Sequence, residues 1–509
     1  MGRFVTVIAW LALVGALIPA TAAAADGGLV VGVADDGAKY ADDGGGNFFS
    51  LMRDVGLQSN RITVTWDPTD GNNGLRIGEQ SFLDRVIPVA AIRGIDIVLD
   101  VYPMRARTFA VDTTNRITLF ADYLQLLART YPTVKTFIVG NEPNQPRFQQ
   151  PQFVRKGRKG YRATAAALYE HVLAAGYDAL KAVNPQITVV GIGLSPRGND
   201  NPKAKNNISR SPVRFLHDLA VEYRRSGRDR PLMDELGFHP YPNSNNDRFS
   251  RGYAWPNAGI MNLDRIKQAV WDGFHGTAQP VFAEPSAFGM EQDAGPSLGL
   301  QLDEYGRQVT VISSEVSQYT GRENVKTISE TRQAGMYATV LRRAECDPAI
   351  KGFYFFHLVD ERNLDRFQSG LLRADGSKRP SYDAVKDVLA QTQGRCMGQV
   401  GVWRHATSVI GADVTFGPDG LVVDAGEDVT VTAGIFPAKL SSPTILDRLG
   451  SSRRAAAKST LVHAGRPRLI RLLPSPRPGG TCVQAVVLRA VMNPERTFLA
   501  VSDPMTKHP

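Results

Sequence analysis

The chain has 509 residues, with 59 Lys and Arg against 50 Asp and Glu and a net charge of +9. That length allows two or three domains with substantial cores. The basic clusters Arg155-Lys156-Gly157-Arg158-Lys159 and Arg466 to Arg471 lack interleaved aromatics, so no nucleic-acid partner is expected, and the excess charge reads as solvated surface with a weak pull on acidic polymers or cell envelope. Three cysteines without metal spacing and eight dispersed histidines without a His-Glu-x-x-His cluster argue against a disulfide scaffold and supply no metal or cofactor motif.

Residues 1–25 read as a secretory signal, with Arg3 at its start, an apolar stretch from Val5 to Ile18, and small residues from Ala22 to Ala25 before cleavage. A retained anchor is the alternative. No other segment offers the ~20 apolar residues of a membrane span. The expectation is an exported protein, extracellular or associated with the cell envelope, whose mature chain does not cross a membrane.

From residue 28 to 393, short apolar runs alternate with longer amphipathic stretches, the pattern of repeated strand–helix units. The spacing predicts strands over 29–33, 61–65, 95–101, 136–139, 187–192, 235–238, 298–302 and 351–356. Helices are predicted over 117–130, 165–183, 212–225, 263–274 and 330–344. Eight such units predict a (β/α)8 TIM barrel, an α/β fold. The runner-up, an open doubly wound sheet, would carry a Gly-rich phosphate turn after its first strand, and Val31-Gly32-Val33-Ala34-Asp35-Asp36 is not one. Cys346 closes the helix before strand eight and Cys396 the helix after it, so the two are expected to pair, leaving Cys482 as a buried thiol. Beyond Gly394 the texture changes to alternating runs at 413–416, 421–424, 429–433, 468–472, 482–488 and 497–501, separated by turns and one weakly helical stretch at 451–459. Residues 400–502 read as a β-sandwich accessory domain poor in aromatics, with Trp403 its only tryptophan.

In a barrel of this kind, reactive residues stand at the carboxyl ends of the strands. The fourth predicted strand ends in Gly140-Asn141-Glu142-Pro143-Asn144, and a second acidic strand end is Leu302-Asp303-Glu304-Tyr305-Gly306. Two such carboxyl groups suit cleavage of a glycosidic bond, which needs a proton donor for the leaving oxygen and a carboxylate facing the anomeric carbon. Partial desolvation at a buried strand end favours the neutral, proton-donating form of a carboxyl, which suits Glu142 to the first role. Asn141 beside it is placed to hydrogen-bond a sugar hydroxyl. Gly-x-Ser-x-Gly is absent, so a nucleophile-elbow esterase is not supported.

These segments resemble the clan A glycoside hydrolases, which include cellulase-type and β-xylosidase-like enzymes and whose acid/base and nucleophile end strands four and seven. Asn60-Arg61-Ile62-Thr63-Val64-Thr65-Trp66 is similar to the strand-two segment whose arginine steadies the nucleophile. Gly237-Phe238-His239-Pro240-Tyr241-Pro242 is similar to the strand-six end, where a histidine and an aromatic face it. The resemblance covers about residues 28–390. It implies a retaining O-glycosyl hydrolase with Glu142 as acid/base, Glu304 as nucleophile and a carbohydrate substrate, an envelope glycan among the candidates. Two residues compete for the nucleophile. Glu304 is preferred because Glu-Tyr-Gly fits the family pattern, whereas Glu284 precedes a proline and a loop-like stretch. Trp66 and Tyr102 follow strands two and three and are taken as sugar-stacking platforms or core, while Trp271 is expected in the core. At the end of strand eight the clan often has a tryptophan. Here Phe356 and His357 stand instead, and His357 and Asp360 are read as sugar ligands or loop braces. The competing function is a carbohydrate-binding envelope protein that keeps the barrel without turnover.

Overall fold

In the computed structural model of the chain, the described residues are 28–509 apart from 73, 159, 285–295, 402, 406–411, 418–419, 438–444, 446–447, 450–459, 473–480, 493–495, 503–504 and 507–509. The expected signal and the weakly helical 451–459 lie outside them. Eight parallel strands close into a barrel in which each strand pairs with its sequence neighbours and the eighth returns to the first. They are β1 (Val30–Ala34), β2 (Ser59–Trp66), β3 (Asp96–Pro103), β4 (Thr136–Val139), β5 (Thr188–Leu194), β6 (Glu235–Phe238), β7 (Gly299–Tyr305) and β8 (Ile350–Phe355). Closure is made by β1 on β8, with Val30 beside Gly352 and Val33 beside Phe355.

Helices α1 (Gly46–Val55), α2 (Gln80–Ile92), α3 (Thr113–Thr130), α4 (Ala165–Val183), α5 (Pro212–Ser226), α6 (Leu263–Phe274), α7 (Glu330–Ala344) and α8 (Pro380–Thr392) follow the strands one by one. Proline in the first turn of α5 and α8, where its missing N–H costs nothing, fixes their starts. The Ser329 hydroxyl accepts from the Arg332 amide to cap α7. Leu, Ile, Val and aromatic residues between strands and helices form the main core. Inside the barrel a smaller apolar layer of Ala34, Val98, Ile138, Val190 and Tyr354, with Phe356 against it, fills the space below the rim. Among the described residues no helix is long and apolar enough to cross a membrane.

Beyond the barrel, two antiparallel sheets form from β9 (Ala412–Gly417), β10 (Gly420–Ala425), β11 (Val429–Pro437), β12 (Thr460–Val462), β13 (Arg468–Arg471), β14 (Thr481–Ala490), β15 (Thr497–Val501) and β16 (Met505–Thr506). Strands β9, β10 and β13 make one sheet, the other strands the second, and Leu421, Val423, Val429, Val431, Val486 and Leu488 share one core between them. Strand β14 is buried on both sides, because Val483, Ala485 and Val487 pack under Ile445 and Leu449. Cys482, near the start of the same strand, is half-buried and not in the core as expected.

Cys346, just past α7, and Cys396, just past α8, are joined in a disulfide across a separation of 50 residues. Neighbouring barrel helices end on one face, which brings the sulfurs together. Closing a loop of that length removes chain entropy from the unfolded state worth about 4 kcal/mol in the loop-closure account. The double substitution Cys346→Ser, Cys396→Ser should lower the unfolding free energy in non-reducing urea by about that amount. An unchanged midpoint would show that the bridge adds nothing.

Candidate active site

The carboxyl ends of the strands open into a cleft of about 1150 Å³, walled among others by Arg61, Tyr102, Asn141, Glu142, Tyr241 and Glu304. Local backbone geometry aims the two glutamates at it. At the end of β4 the chain turns through Gly140 at φ +88°, where a Cβ would lie 2.9 Å from the ring of Tyr169. Tyr169, from α4, places its hydroxyl between the Val139 carbonyl, to which it donates, and the Ile192 N–H, from which it accepts at 2.7 Å. Ile192 and Gly193 have φ of +83° and +55°, and three residues of β5 oppose two of β6 there, a β-bulge. The Gly193 carbonyl accepts the Glu142 amide at 2.9 Å. Glu142 itself sits at φ +40°, a conformation that costs a non-glycine residue on the order of 1–3 kcal/mol and persists only where its surroundings impose it.

A second bulge governs Glu304. From Leu302 to Tyr305 strand β7 takes three steps while β8 takes two, from Phe353 to Phe355. Strict alternation would put Asp303 inside the barrel and Glu304 outside it. The extra residue lets both face the site.

One polar network connects the strand ends. Arg61 donates from Nη1 to Glu304 Oε1 at 2.7 Å, and from Nη2 to Asp100 Oδ2 at 2.6 Å and Asn141 Oδ1 at 3.1 Å. Tyr241 donates its hydroxyl to Glu304 Oε2 at 2.9 Å. His239 is fully buried, with Nδ1 3.0 Å from Glu142 Oε1 and 3.5 Å from Glu304 Oε2, so these two oxygens lie no more than about 6.5 Å apart. Its Nε2 stands 3.5 Å from Asp303 Oδ2. Side chains at 193 or 237 would crowd this cluster, since a Cβ on Gly237 would meet Asp303 Oδ2 at 2.9 Å and one on Gly193 would meet His239 Nε2 at 3.3 Å.

Charge follows from this packing. Burial opposes ionisation of Glu304, but the His239 and Arg61 cations and the Tyr241 and Arg61 hydrogen bonds outweigh it and hold the carboxyl below its ordinary 4.5. Burial likewise opposes protonation of His239, yet Glu304 and Asp303 raise it well above its ordinary 6.5. Burial pushes Asp100 up to about 7 in spite of Arg61. For stability the signs are opposite. Glu304's pairing is present above pH 4.5 and lost as pH falls through its lowered value, while that of His239 is present below 6.5 and lost as pH rises through its raised value. These two groups therefore stabilise the fold most between pH 4.5 and 6.5, whereas Asp100, with its raised value, offsets part of that gain as pH climbs from 3.8 toward 7.

Of the residues expected from sequence, Glu142, Glu304, Asn141, Arg61, His239 and Tyr241 meet in this network, and Tyr102 and His357 line the cleft. Trp66 is a correction. It lies in the core against Phe109, Phe120 and Tyr123, 1% exposed, and its indole N–H is spent on the Gly74 carbonyl, so it can stack on no sugar. Trp271 is half-buried, stacked between His275 and His405. Glu284, in the helix-to-strand loop at the opposite end of the barrel, accepts the backbone N–H of His405 at 2.6 Å and approaches its Nδ1 at 2.7 Å, so it takes no part in the cleft. Asp360 is a brace, gripped by both terminal nitrogens of Arg379 and by the Tyr319 hydroxyl. Phe356, joined to His357 by a cis peptide, packs edge-on against Tyr241 and Phe367 to make an aromatic wall. Sequence reasoning passed over Asp100 and Asp303, although Asp100 interrupts the apolar run from Ile97 to Val101 and Asp303 directly precedes Glu304. Among the described residues, no three His, Cys, Asp or Glu side chains gather so as to hold a metal ion.

No protein-family model matches the chain, and no curated protein matches it in sequence. Among solved structures it is similar to a monomeric β-xylosidase from Caulobacter crescentus, at 14% identity over 94% of each chain with a TM-score of 0.43. GH5_18 from Streptomyces cattleya, solved with GlcNAc, shares 14% identity over 74% of this chain and 82% of its own, TM-score 0.46. For β-glucuronidase 2 of Bacteroides uniformis the figures are 10% identity and a TM-score of 0.39 over 90% of this chain, which spans only 42% of that enzyme's length. The reading of the site rests on its own geometry.

His239 supplies the leading cation at Glu304, so His239→Gln should shift the Glu304 titration upward. Carboxyl-carbon NMR of glutamate-labelled protein reads this directly, and an unmoved or lowered titration would contradict the electrostatic account.

Proposed function

We propose that the protein is an exported retaining O-glycosyl hydrolase acting on an oligosaccharide, polysaccharide or glycoconjugate, with residues 28–393 as the catalytic unit and 400–502 as an accessory domain. One observation carries this reading: carboxylates at strand ends four and seven are held against the same imidazole nitrogen, within about 6.5 Å of each other. A double displacement needs carboxyl groups about 5–5.5 Å apart, whereas a single displacement through water needs roughly 6.5–9.5 Å.

The residues divide the work. Arg61 and Tyr241 each bind one oxygen of Glu304, which fixes the carboxylate's orientation and keeps it ionised for attack on the anomeric carbon. Glu142 gives its proton to the leaving oxygen, and the glycosyl group becomes an ester on Glu304. Negative charge thereby moves from Glu304 to Glu142. The His239 cation is hydrogen-bonded to Glu142 and stands 3.5 Å from Glu304, so one positive charge serves whichever carboxylate is charged. Glu142 then takes a proton from the water that hydrolyses the ester. Phe356 and Tyr102 offer apolar ring faces in the cleft, suited to the faces of sugar rings. The signal reading of residues 1–25 supports action outside the cytoplasm.

On a panel of aryl glycosides, Glu304→Ala should abolish turnover, and azide should restore it with a product of inverted configuration. Glu142→Ala should cost about 10²–10⁴-fold on poor leaving groups and much less on good ones. Glu284→Ala should retain the chemistry. Turnover that survives Glu304→Ala without azide would refute the assignment.

A further inference from the structure

Resting on that reading, we infer that the substrate is a glycan chain carrying repeated anionic groups. Four cationic side chains stand on the cleft wall: Arg147 after β4, Arg197 after β5, Lys326 after β7 and Arg366 after β8. All four are exposed, and among the described residues none lies within ion-pair distance of a carboxylate. Arg147 rests over the ring of Phe148, which packs edge-on against Tyr102 in the same wall.

The acids of the wall are disposed differently. Asp35 accepts backbone N–H groups from Gly37, Leu358 and Val359, Asp36 accepts from Thr63 and faces Lys39, Asp360 is locked by Arg379, and Glu361 accepts from Phe367. These carboxylates keep their charge but are turned into the loops, Asp360 buried and Asp35, Asp36 and Glu361 half-buried. Of the remaining wall acids outside the catalytic pair, Asp365 alone is exposed without such a bond. The fully exposed charges of the rim are therefore four cations, on four separate loops around the opening, against the single acid Asp365. A single anionic sugar would engage one or two of these cations. A polymer with an anionic group on successive residues, laid across the cleft, engages them in series. Surface charges of this kind act over about 8–10 Å at physiological salt, long enough to guide an extended chain but open to screening.

The test uses full-length protein carrying Glu304→Gln, so that no chain is cut, in affinity electrophoresis through polygalacturonate, a sulfated dextran, neutral dextran and xylan. A fourfold cleft variant (Arg147→Gln, Arg197→Gln, Lys326→Gln, Arg366→Gln) is compared with a charge-matched variant of the opposite face (Arg93→Gln, Arg129→Gln, Lys135→Gln, Lys351→Gln). The expected result is retardation by an anionic polymer that falls with salt, weakens by about tenfold or more in the cleft variant, and persists in the opposite-face variant. Polygalacturonate against sulfated dextran tells carboxylate from sulfate recognition. Equal retardation by neutral and anionic polymers, or equal loss in both fourfold variants, would overturn the inference and leave the glycosidase reading standing. Binding of no polymer would overturn it too, and the hydrolase reading would fail as well only if wild-type protein also turned over no aryl glycoside.

Discussion

A guanidinium shut away from water must be met by acceptors, and Arg61 is 5% exposed at the mouth of the barrel. Its terminal nitrogens bond Asp100 of β3, Asn141 past β4 and Glu304 of β7, so a single side chain ties three strand ends together. Removing one partner from a buried pair costs about 3–5 kcal/mol, because the other is left charged and unmet. Glu304 consequently has one orientation, and Tyr241 on its second oxygen closes off the alternatives. The His239 cation follows from the same arrangement, since Arg61 pairs with Asp100 and Glu304 only, and Glu142 and Asp303 beside them find their positive partner in the imidazole.

The strand order was legible because parallel strands buried on both faces read as apolar runs of the right length. The expected β4 and β6 coincide with the observed ones. Side-chain parity was equally present in the sequence and would have settled Trp66. Arg61 faces the barrel interior, and Trp66 stands an odd number of positions further along a regular strand, so it faces the helices together with Ile62 and Val64. Tyr102 shares parity with Asp100 and does reach the cleft. What the sequence could not disclose is the pair of bulges. Each adds one residue to a strand against its neighbour, and no periodicity announces that Asp303 and Glu304 turn to the same side.

The C-terminal strands were readable from their alternation, and two aromatic residues that precede them turn toward the barrel. Trp403 packs against the barrel core, and His405 stacks on Trp271 while bonding Glu284. The sequence offered Glu284 as a rival nucleophile because an acid after an apolar run looks like a strand end. Its true setting depends on which end of the barrel the run occupies, and that is decided only by closure.

Tyr169 has an implication for how such a site can change over time. Its phenol sits behind the catalytic end of β4 and engages both β4 and β5 at a point where their own ladder is broken. The acid is thus positioned from the helix layer and not from the loops above it. Insertions and deletions in those loops can reshape the cleft while the Glu142 carboxyl keeps its place. A fixed centre beneath a freely editable rim lets the shape of the cleft drift without displacing the carboxyl at its floor.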